Sequence, residues 1–141
     1  MVTRTFWFAA AFGLAASIAP TLALQGAMTE EEYDAAMKEI RFTVSDSQGH
    51  IDARYWPELE TAVGRLQSYF TQIESFWTGR GADEAVGFSQ EALQALEGLL
   101  TAASDKDQAA ARDALKTLQG TCGSCHMQYR EETADGFRVK P

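Results

Sequence analysis

Two stretches of the chain place apolar residues at alternating steps of four and three, and this repeat constrains the fold more than any other feature. The first stretch comprises Leu59, Val63, Leu66, Phe70, Ile73 and Trp77. The second comprises Ala111, Leu115, Leu118, Cys122, Cys125 and Tyr129. Because such steps bring every member onto one stripe of an α-helix, each stretch predicts a long amphipathic helix that packs along a shared core.

Helix one is predicted to begin at Thr29, from the residues of its first turn. Thr29 and Glu32 have the spacing of a capping box, in which each side chain accepts a hydrogen bond from the other residue's backbone. The segment 45–50 is rich in polar residues and contains Gly49, so we expect a loop there. The residues expected on the inward face of this first helix are Tyr33, Met37, Ile40 and Val44.

Helix two is predicted to begin at Pro57, where a proline fits the first turn, and to end within residues 78–81. Helix four is predicted to run from about Asp105 past Tyr129. Helix three is predicted over residues 83–103, with Val86, Leu93, Leu96, Leu100 and Ala103 inward. No stretch alternates as a strand does. Four amphipathic helices with short joints predict an all-α fold, an antiparallel up-down-up-down four-helix bundle.

The N-terminal residues have the order of a secretion signal. A single basic residue, Arg4, precedes the uncharged apolar run 6–19, and small residues follow Pro20. This order predicts a signal peptide over residues 1–23 that is cleaved after Ala23, leaving 24–141 as the mature domain. The alternative is an uncleaved membrane anchor, since the apolar stretch is nearly long enough to span a bilayer.

The formal charge of the chain is −8. Nucleic-acid binding depends on Lys and Arg against phosphate, so an acidic domain of this kind is not expected to bind nucleic acid. A protein partner would instead present a basic docking face, with an attraction that weakens as salt rises. The alternative is that the acidic surface only keeps the protein soluble.

The only two cysteines stand in the sequence Cys122-Gly123-Ser124-Cys125-His126. This is the C-x-x-C-H pattern of haem attachment. Two thiols one helical turn apart can add to the two vinyl groups of haem, and the following histidine then offers an axial ligand to the iron. Both cysteines belong to the predicted apolar stripe of helix four, which favours a haem inside the bundle.

Three other chemistries use a similar pattern. A thioredoxin-type redox pair needs a strand before the helix, and no strand is predicted. A structural zinc ion needs four ligands, and beyond the motif the chain offers only His50 and carboxylates. A disulfide across one turn is plausible in an oxidising compartment but constrains little. These readings remain alternatives to haem attachment.

Around this motif the chain resembles the cytochrome c-prime family, whose members commonly read C-x-x-C-H-x-x-Y-R, as residues 122–130 do here. The tail 135–141 is also similar to that of family members. The resemblance implies a periplasmic four-helix bundle with one haem c bound covalently to Cys122 and Cys125. It implies that His126 is the proximal iron ligand, and that Tyr129 and Arg130 belong to the haem pocket.

The resemblance also implies a distal residue on helix one. Family members often read R-Q-x-x-[LM]-K-x-I there, and the segment 33–40 matches this pattern from Met37 onward. Tyr33 and Asp34 replace the Arg-Gln pair, so the resemblance does not carry the family's arginine contact to a haem propionate over to this chain. Met37 is therefore a candidate distal ligand; the alternative is that it only packs against the haem, as methionine in a core usually does.

These features predict a periplasmic electron-transfer cytochrome that is not an enzyme. A ligated Met37 would favour electron transfer, whereas a five-coordinate iron would favour binding of NO or CO as a sensor or sink. Peroxidase-like activity needs a distal acid–base residue, and we expect neither Lys38 nor Arg41 to share the face of Met37. The expected partners are redox proteins and, by the resemblance, a second copy of the chain; no membrane contact is expected after signal cleavage.

Overall fold

The computed structural model describes residues 28–134 and 136–140. Four helices follow one another: α1 (Glu30–Ala53), α2 (Trp56–Arg80), α3 (Asp83–Ser104) and α4 (Gln108–Tyr129). A short hairpin of β1 (Arg130–Thr133) and β2 (Gly136–Val139) ends the described part. The predicted signal peptide over residues 1–23 and its cleavage site lie outside the described residues. None of the described helices contains an apolar stretch long enough to cross a membrane.

Contacts between helix ends establish an antiparallel arrangement. Gln108, at the start of α4, donates a hydrogen bond to the backbone oxygen of Ile51, near the end of α1, at 2.8 Å. Gln128, near the end of α4, donates to Glu84, at the start of α3, at 3.1 Å. Each helix packs against the helices before and after it, and α4 also packs against α1. The predicted four-helix bundle is therefore confirmed.

The capping box that predicted the start of α1 is present. The Glu32 backbone N–H donates to the Thr29 hydroxyl at 3.2 Å, and the Thr29 N–H donates to the Glu32 carboxylate at 2.7 Å. The loop predicted over 45–50 is wrong, because α1 continues through Gly49 to Ala53. Ser47 and Ile51 are completely buried in this segment, so packing against the core outweighs the weak helix preference of its polar residues.

The inward face predicted for α3 is also partly wrong. Leu96 and Ala103 are buried as expected, whereas Val86, Leu93 and Leu100 are only half-buried at the edge of the core. The residues that do form the buried stripe step by four and three and are mostly small: Ala85, Ser89, Ala92, Leu96, Leu99 and Ala103. Small side chains let α3 approach its neighbours closely, and the larger residues flank that contact.

The C-terminal hairpin is a feature that the sequence did not predict. Helix α4 ends at Tyr129 instead of continuing, and Arg130 pairs with Val139 across the two strands. Gly136 begins β2 with a φ of 141°, which favours glycine. The strand β2 then returns along α1. The hairpin therefore folds back over one end of the bundle.

The interface between α1 and α4 differs along its length, and we name its two halves. In the closed half, Ile51 and Asp52 of α1 contact the first turns of α4 directly, and Ile51 and Ala111 are completely buried. In the open half, Met37 and Ile40 of α1 and the cysteine motif of α4 line a cavity between the two helices. The hairpin lies beside this open half.

Candidate functional site

The open half contains a cavity of about 790 Å³, which is in the range of small-molecule and cofactor sites. Most of its lining comes from α1 on one side, α4 on the other and β2 of the hairpin at the end, and α2, α3 and β1 contribute the remaining residues. Apolar side chains make up much of the lining, including Ile40, Val44, Phe70, Ile73, Phe88 and Val139. The cavity therefore suits a large apolar group that carries a few polar attachments.

Helix α4 supplies the sulfur and nitrogen atoms of the cavity. Cys122, Cys125 and His126 all line it, and each is half-buried. They lie in the second half of α4, with His126 in its last turn, so the helical spacing assumed for the motif is present. Leu115 and Leu118 continue the same face into the core, where both are buried. The predicted stripe is thus fully buried as far as Leu118 and then opens onto the cavity.

Burial controls the protonation of these groups. It raises the pKa of the Cys122 and Cys125 thiols to about 11. It also lowers the pKa of the His126 imidazole below its usual range, and the positive charge of Arg130 lowers it further. A neutral imidazole keeps a nitrogen lone pair free for a metal ion.

The same geometry weakens the alternatives for the motif. A thioredoxin-type pair has a lowered thiol pKa, commonly at a helix N-terminus, whereas Cys122 and Cys125 lie in the last half of α4 with raised values. Within residues 28–134 and 136–140, no three His, Cys, Asp or Glu side chains are grouped so that they could hold a metal ion. A protein-only zinc site therefore has no support in this part of the chain.

Helix α1 places Met37 on the same cavity as His126. Met37 is half-buried and packs against the edge of the core. The structure also corrects one expectation: Lys38 and Arg41 do line this cavity with Met37. Arg41 follows Met37 by four residues, and residues so spaced are neighbours on a helix surface. The long side chain of Lys38 reaches the cavity from the adjacent stripe.

Tyr129 and Arg130, the other two predicted pocket residues, also line the cavity. The Tyr129 ring packs on Trp77 with centroids 4.9 Å apart. The Arg130 guanidinium lies 3.5 Å from the centre of the Phe137 ring, which is a close cation–π contact. All six residues predicted for the site are therefore brought together around one cavity.

Several lining residues were not predicted. Phe137, Arg138 and Val139 reach the cavity only because the tail forms a hairpin, and four-residue strands carry too little periodicity to be recognised. Phe88 lies on α3, and Ile73 lies on α2, where it was expected in the core. Their apolar character was visible in the sequence. Their position beside the cavity depends on the separation of α1 from α4, which the sequence does not show.

Comparison with known families agrees with this geometry. The family model described as cytochrome C′ matches residues 15–130. The chain belongs to the cytochrome c′ family. It is therefore a haem c-type cytochrome, from a family that is typically periplasmic. A search of curated proteins and a search of solved structures each found no match.

The residues of the cavity fit the haem c that the family implies. Two thiols and one imidazole lie together on the α4 wall, and a thioether lies on the α1 wall. Thiols form the covalent attachment, and imidazole and thioether are both established axial ligands of haem iron. The apolar lining suits a porphyrin ring, and arginines line the cavity where carboxylates could bind.

Proposed function

We propose that the protein is a periplasmic electron-transfer cytochrome with a single haem c. In this proposal Cys122 and Cys125 form the two thioether bonds, His126 is the proximal ligand and Met37 is the distal ligand. The proposal rests on one observation: a thioether on α1 and an imidazole on α4 line the same apolar cavity. Bound haem iron would supply one-electron chemistry, and His/Met ligation raises its reduction potential.

The other residues of the site hold and shield that centre. Two covalent attachments to adjacent turns of α4 would fix the ring relative to the helix. The apolar side chains of Ile40, Phe70 and Ile73 exclude water and lower the local dielectric, which tunes the reduction potential. The hairpin contributes Phe137 and Val139 to the far wall. We expect these fixed contacts to change little when the protein gains or loses an electron, which favours electron transfer.

Location and partners follow from the rest of the chain. Residues 1–23 are proposed to direct export and to be cleaved, which would bring the cysteine motif to a compartment where haem c is attached. With a formal charge of −8, the protein would attract a redox partner through a basic docking face. The proposed role has no substrate of its own, so we propose that the protein is not an enzyme.

One observation favours a second candidate. The cavity continues along α1 beyond Met37 to Ile40, Arg41 and Val44. If Met37 only packs against the ring, this space would admit a small gas such as NO or CO to a five-coordinate iron. The protein would then act as a sensor or sink for that gas.

The optical spectrum of the purified holoprotein tests the choice. A methionine–ferric charge-transfer band is expected in the wild type and should be absent in Met37→Leu, which keeps the volume of the side chain but removes the sulfur. Met28→Leu is the matched control, because Met28 is also half-buried but lines a groove between α1 and α2 instead of this cavity. A high-spin ferric spectrum in the wild type would reject electron transfer through a methionine-ligated iron and support the gas-binding role.

A further inference from the structure

Seven charged side chains line the cavity: Glu30, Glu31, Asp34, Lys38, Arg41, Arg130 and Arg138. Most of them already have partners of opposite charge. Lys38 pairs with Asp34 at 2.6 Å, and Arg138 pairs with Glu131 at 2.8 Å. Glu30 pairs with Arg80. These pairs neutralise charge locally and leave little to attract a bound anion.

Arg41 and Arg130 differ from the other cations of the cavity. Neither forms an ion pair with a carboxylate among the residues that the structure describes. Each guanidinium instead lies over an aromatic ring, Arg130 over Phe137 at 3.5 Å and Arg41 over Phe42 at 5.2 Å. The planar fork of an arginine that has no ion pair is suited to binding a carboxylate with two hydrogen bonds.

Tyr33 cannot supply a positive charge at the position where family members often have arginine. Its side chain is buried, and the ring packs on Phe76 with centroids 4.5 Å apart and on the edge of Trp77 at 5.8 Å. Burial raises the pKa of the Tyr33 phenol, so the group is neutral throughout the physiological range. A cofactor carboxylate that met an arginine in other members would meet no cation at this position.

We propose that Arg41 binds a carboxylate side chain of the haem, with Arg130 as the second cation. The inference deepens the proposed function, since it requires haem c in this cavity. Haem carries two carboxylates, and an anion that is partly removed from water is costly unless a donor pairs with it. Arg41 is on the same α1 wall as Met37, so it can reach the cofactor without displacing the distal side chain. In this proposal, the cation that family members often have at the position of Tyr33 is provided by Arg41, one helical turn beyond Met37.

A cation beside a cofactor carboxylate favours the reduced iron, because it offsets negative charge near the centre that gains an electron. Removing it should lower the reduction potential. Arg41 is exposed, so solvent screens the interaction. We expect Arg41→Gln to change the equilibrium between oxidised and reduced protein by about three- to tenfold, and tenfold corresponds to about 59 mV for one electron.

The test compares reduction potentials of purified holoproteins. Arg65→Gln is the matched control, because Arg65 is exposed on α2, does not line the cavity and forms no ion pair with a described residue. Arg41→Lys keeps the charge but loses the fork, so it should recover most of the potential. The expected order is wild type and Arg65→Gln highest, Arg41→Lys slightly lower, and Arg41→Gln lowest.

Two results would overturn the inference. If Arg41→Gln has the potential of Arg65→Gln, Arg41 binds no carboxylate of the haem. If its potential is unchanged but peroxide turnover falls, Arg41 acts instead as a distal donor, and the peroxidase-like role regains support. Failure of the proposed function is recognised separately, because mass spectrometry of the wild type would then show no covalently bound haem or the ferric spectrum would be high-spin.

Discussion

In the closed half of the α1–α4 interface the helices contact each other directly, whereas in the open half they face each other across a cavity of about 790 Å³. The closed half has the composition of an ordinary core: Ile51 and Ala111 are completely buried, and Gln108 bonds to the backbone of α1. The open half instead presents the thiols of Cys122 and Cys125, the imidazole of His126 and the thioether of Met37, which we propose hold the haem. One pair of helices thus combines a packed region with a region that surrounds a cavity.

The difference explains how one bundle supports both stability and function. Protein interiors are normally packed without large voids, since each void forfeits contacts between apolar atoms. The closed half satisfies this rule with its own side chains. The open half would satisfy it through the ring of the haem, so its stability should depend on the cofactor. The predictions below test whether the two halves respond differently.

The largest effect is expected when both cysteines are replaced. Cys122→Ala combined with Cys125→Ala should yield protein without covalently attached haem, as measured by intact mass. We expect the free energy of unfolding to fall by roughly 4 kcal/mol or more, the scale of losing a structural cross-link or metal. Amide hydrogen exchange should accelerate in the open half, around Met37 and Cys122, far more than around Ile51.

Ser124→Ala is the matched control for the cysteine variants. It lies between the two cysteines and leaves the C-x-x-C-H pattern intact, so it should retain haem and wild-type exchange. Equal acceleration of exchange in both halves of the double cysteine variant would show that the distinction between the halves is wrong.

Two isoleucines on α1 allow the closed and open halves to be compared by the same Ile→Ala substitution. Ile51→Ala in the closed half should cost about 2–5 kcal/mol, both with haem and in the cysteine-free background. Ile40→Ala in the open half should cost about 2–5 kcal/mol with haem and measurably less without it, because Ile40 is buried but also lines the cavity, where it would lose its contacts with the ring. Urea unfolding of the four proteins measures these costs. A cost of Ile40→Ala that is independent of haem would contradict the cofactor's role in packing.

The fold was predictable where large apolar residues mark the core. The stripe of α2, from Leu59 to Trp77, is buried throughout as expected. The stripe of α3 was missed because Ala85, Ser89 and Ala92 occupy half of its buried positions and are no more apolar than surface alanines or serines. The hydroxyl of buried Ser89 donates to the Ala85 backbone oxygen at 3.0 Å, so a polar residue can lie in the core without an unpaired group.

The site was predictable where its residues are neighbours in sequence. Cys122, Cys125 and His126 form a local motif on one helix, and their place in the predicted stripe put them beside the core. Met37 required the family resemblance, since nothing local distinguishes it from a core methionine. Arg41 was misplaced because it was assigned to a different helix face from Met37, although it follows Met37 by four residues. Phe137 could not be predicted as a site residue, because its position depends on the pairing of two short strands.

A smaller effect is expected at the helix caps, which occur at both ends of the α1–α4 interface. Asp107 caps α4 in the closed half, where its carboxylate accepts hydrogen bonds from the N–H groups of Ala109 and Ala110 at 3.0 Å. Asp107→Ala should lower the global free energy of unfolding by about 1 kcal/mol. Thr29→Ala removes a comparable cap from α1 beside the open half, but we expect mainly faster hydrogen exchange in the first turn of α1.

Thr29→Ser and Asp107→Asn are the controls for the caps, since both keep a side-chain oxygen that can accept the hydrogen bonds. They should behave nearly as the wild type does. Thr29→Ala could instead lower the global free energy of unfolding as much as Asp107→Ala does. The open half would then be as tightly coupled to global unfolding as the closed half, and the two halves would not differ in stability.

The smallest effect concerns the ion pair that joins the helices in the closed half. The Asp52 carboxylate accepts hydrogen bonds from Arg112 at 2.8 Å and from Gln48 at 3.1 Å, and these bonds lower its pKa. A carboxyl whose folded pKa is lowered stabilises the folded state above its unfolded value of about 3.9. That contribution is lost as the pH falls through the lower, folded value.

Asp52→Asn should therefore be less stable than the wild type at pH 7, by a small margin because the pair is exposed to solvent. The difference should shrink toward zero as the pH is lowered to about 2, where the wild-type carboxyl is protonated as well. Asp46→Asn on the same helix is the control, since Asp46 forms no ion pair with a described residue. Urea midpoints at both pH values measure the effect. A difference that persists in acid would mean that Asp52 joins the helices by packing and neutral hydrogen bonds, and that the closed half holds together without its charges.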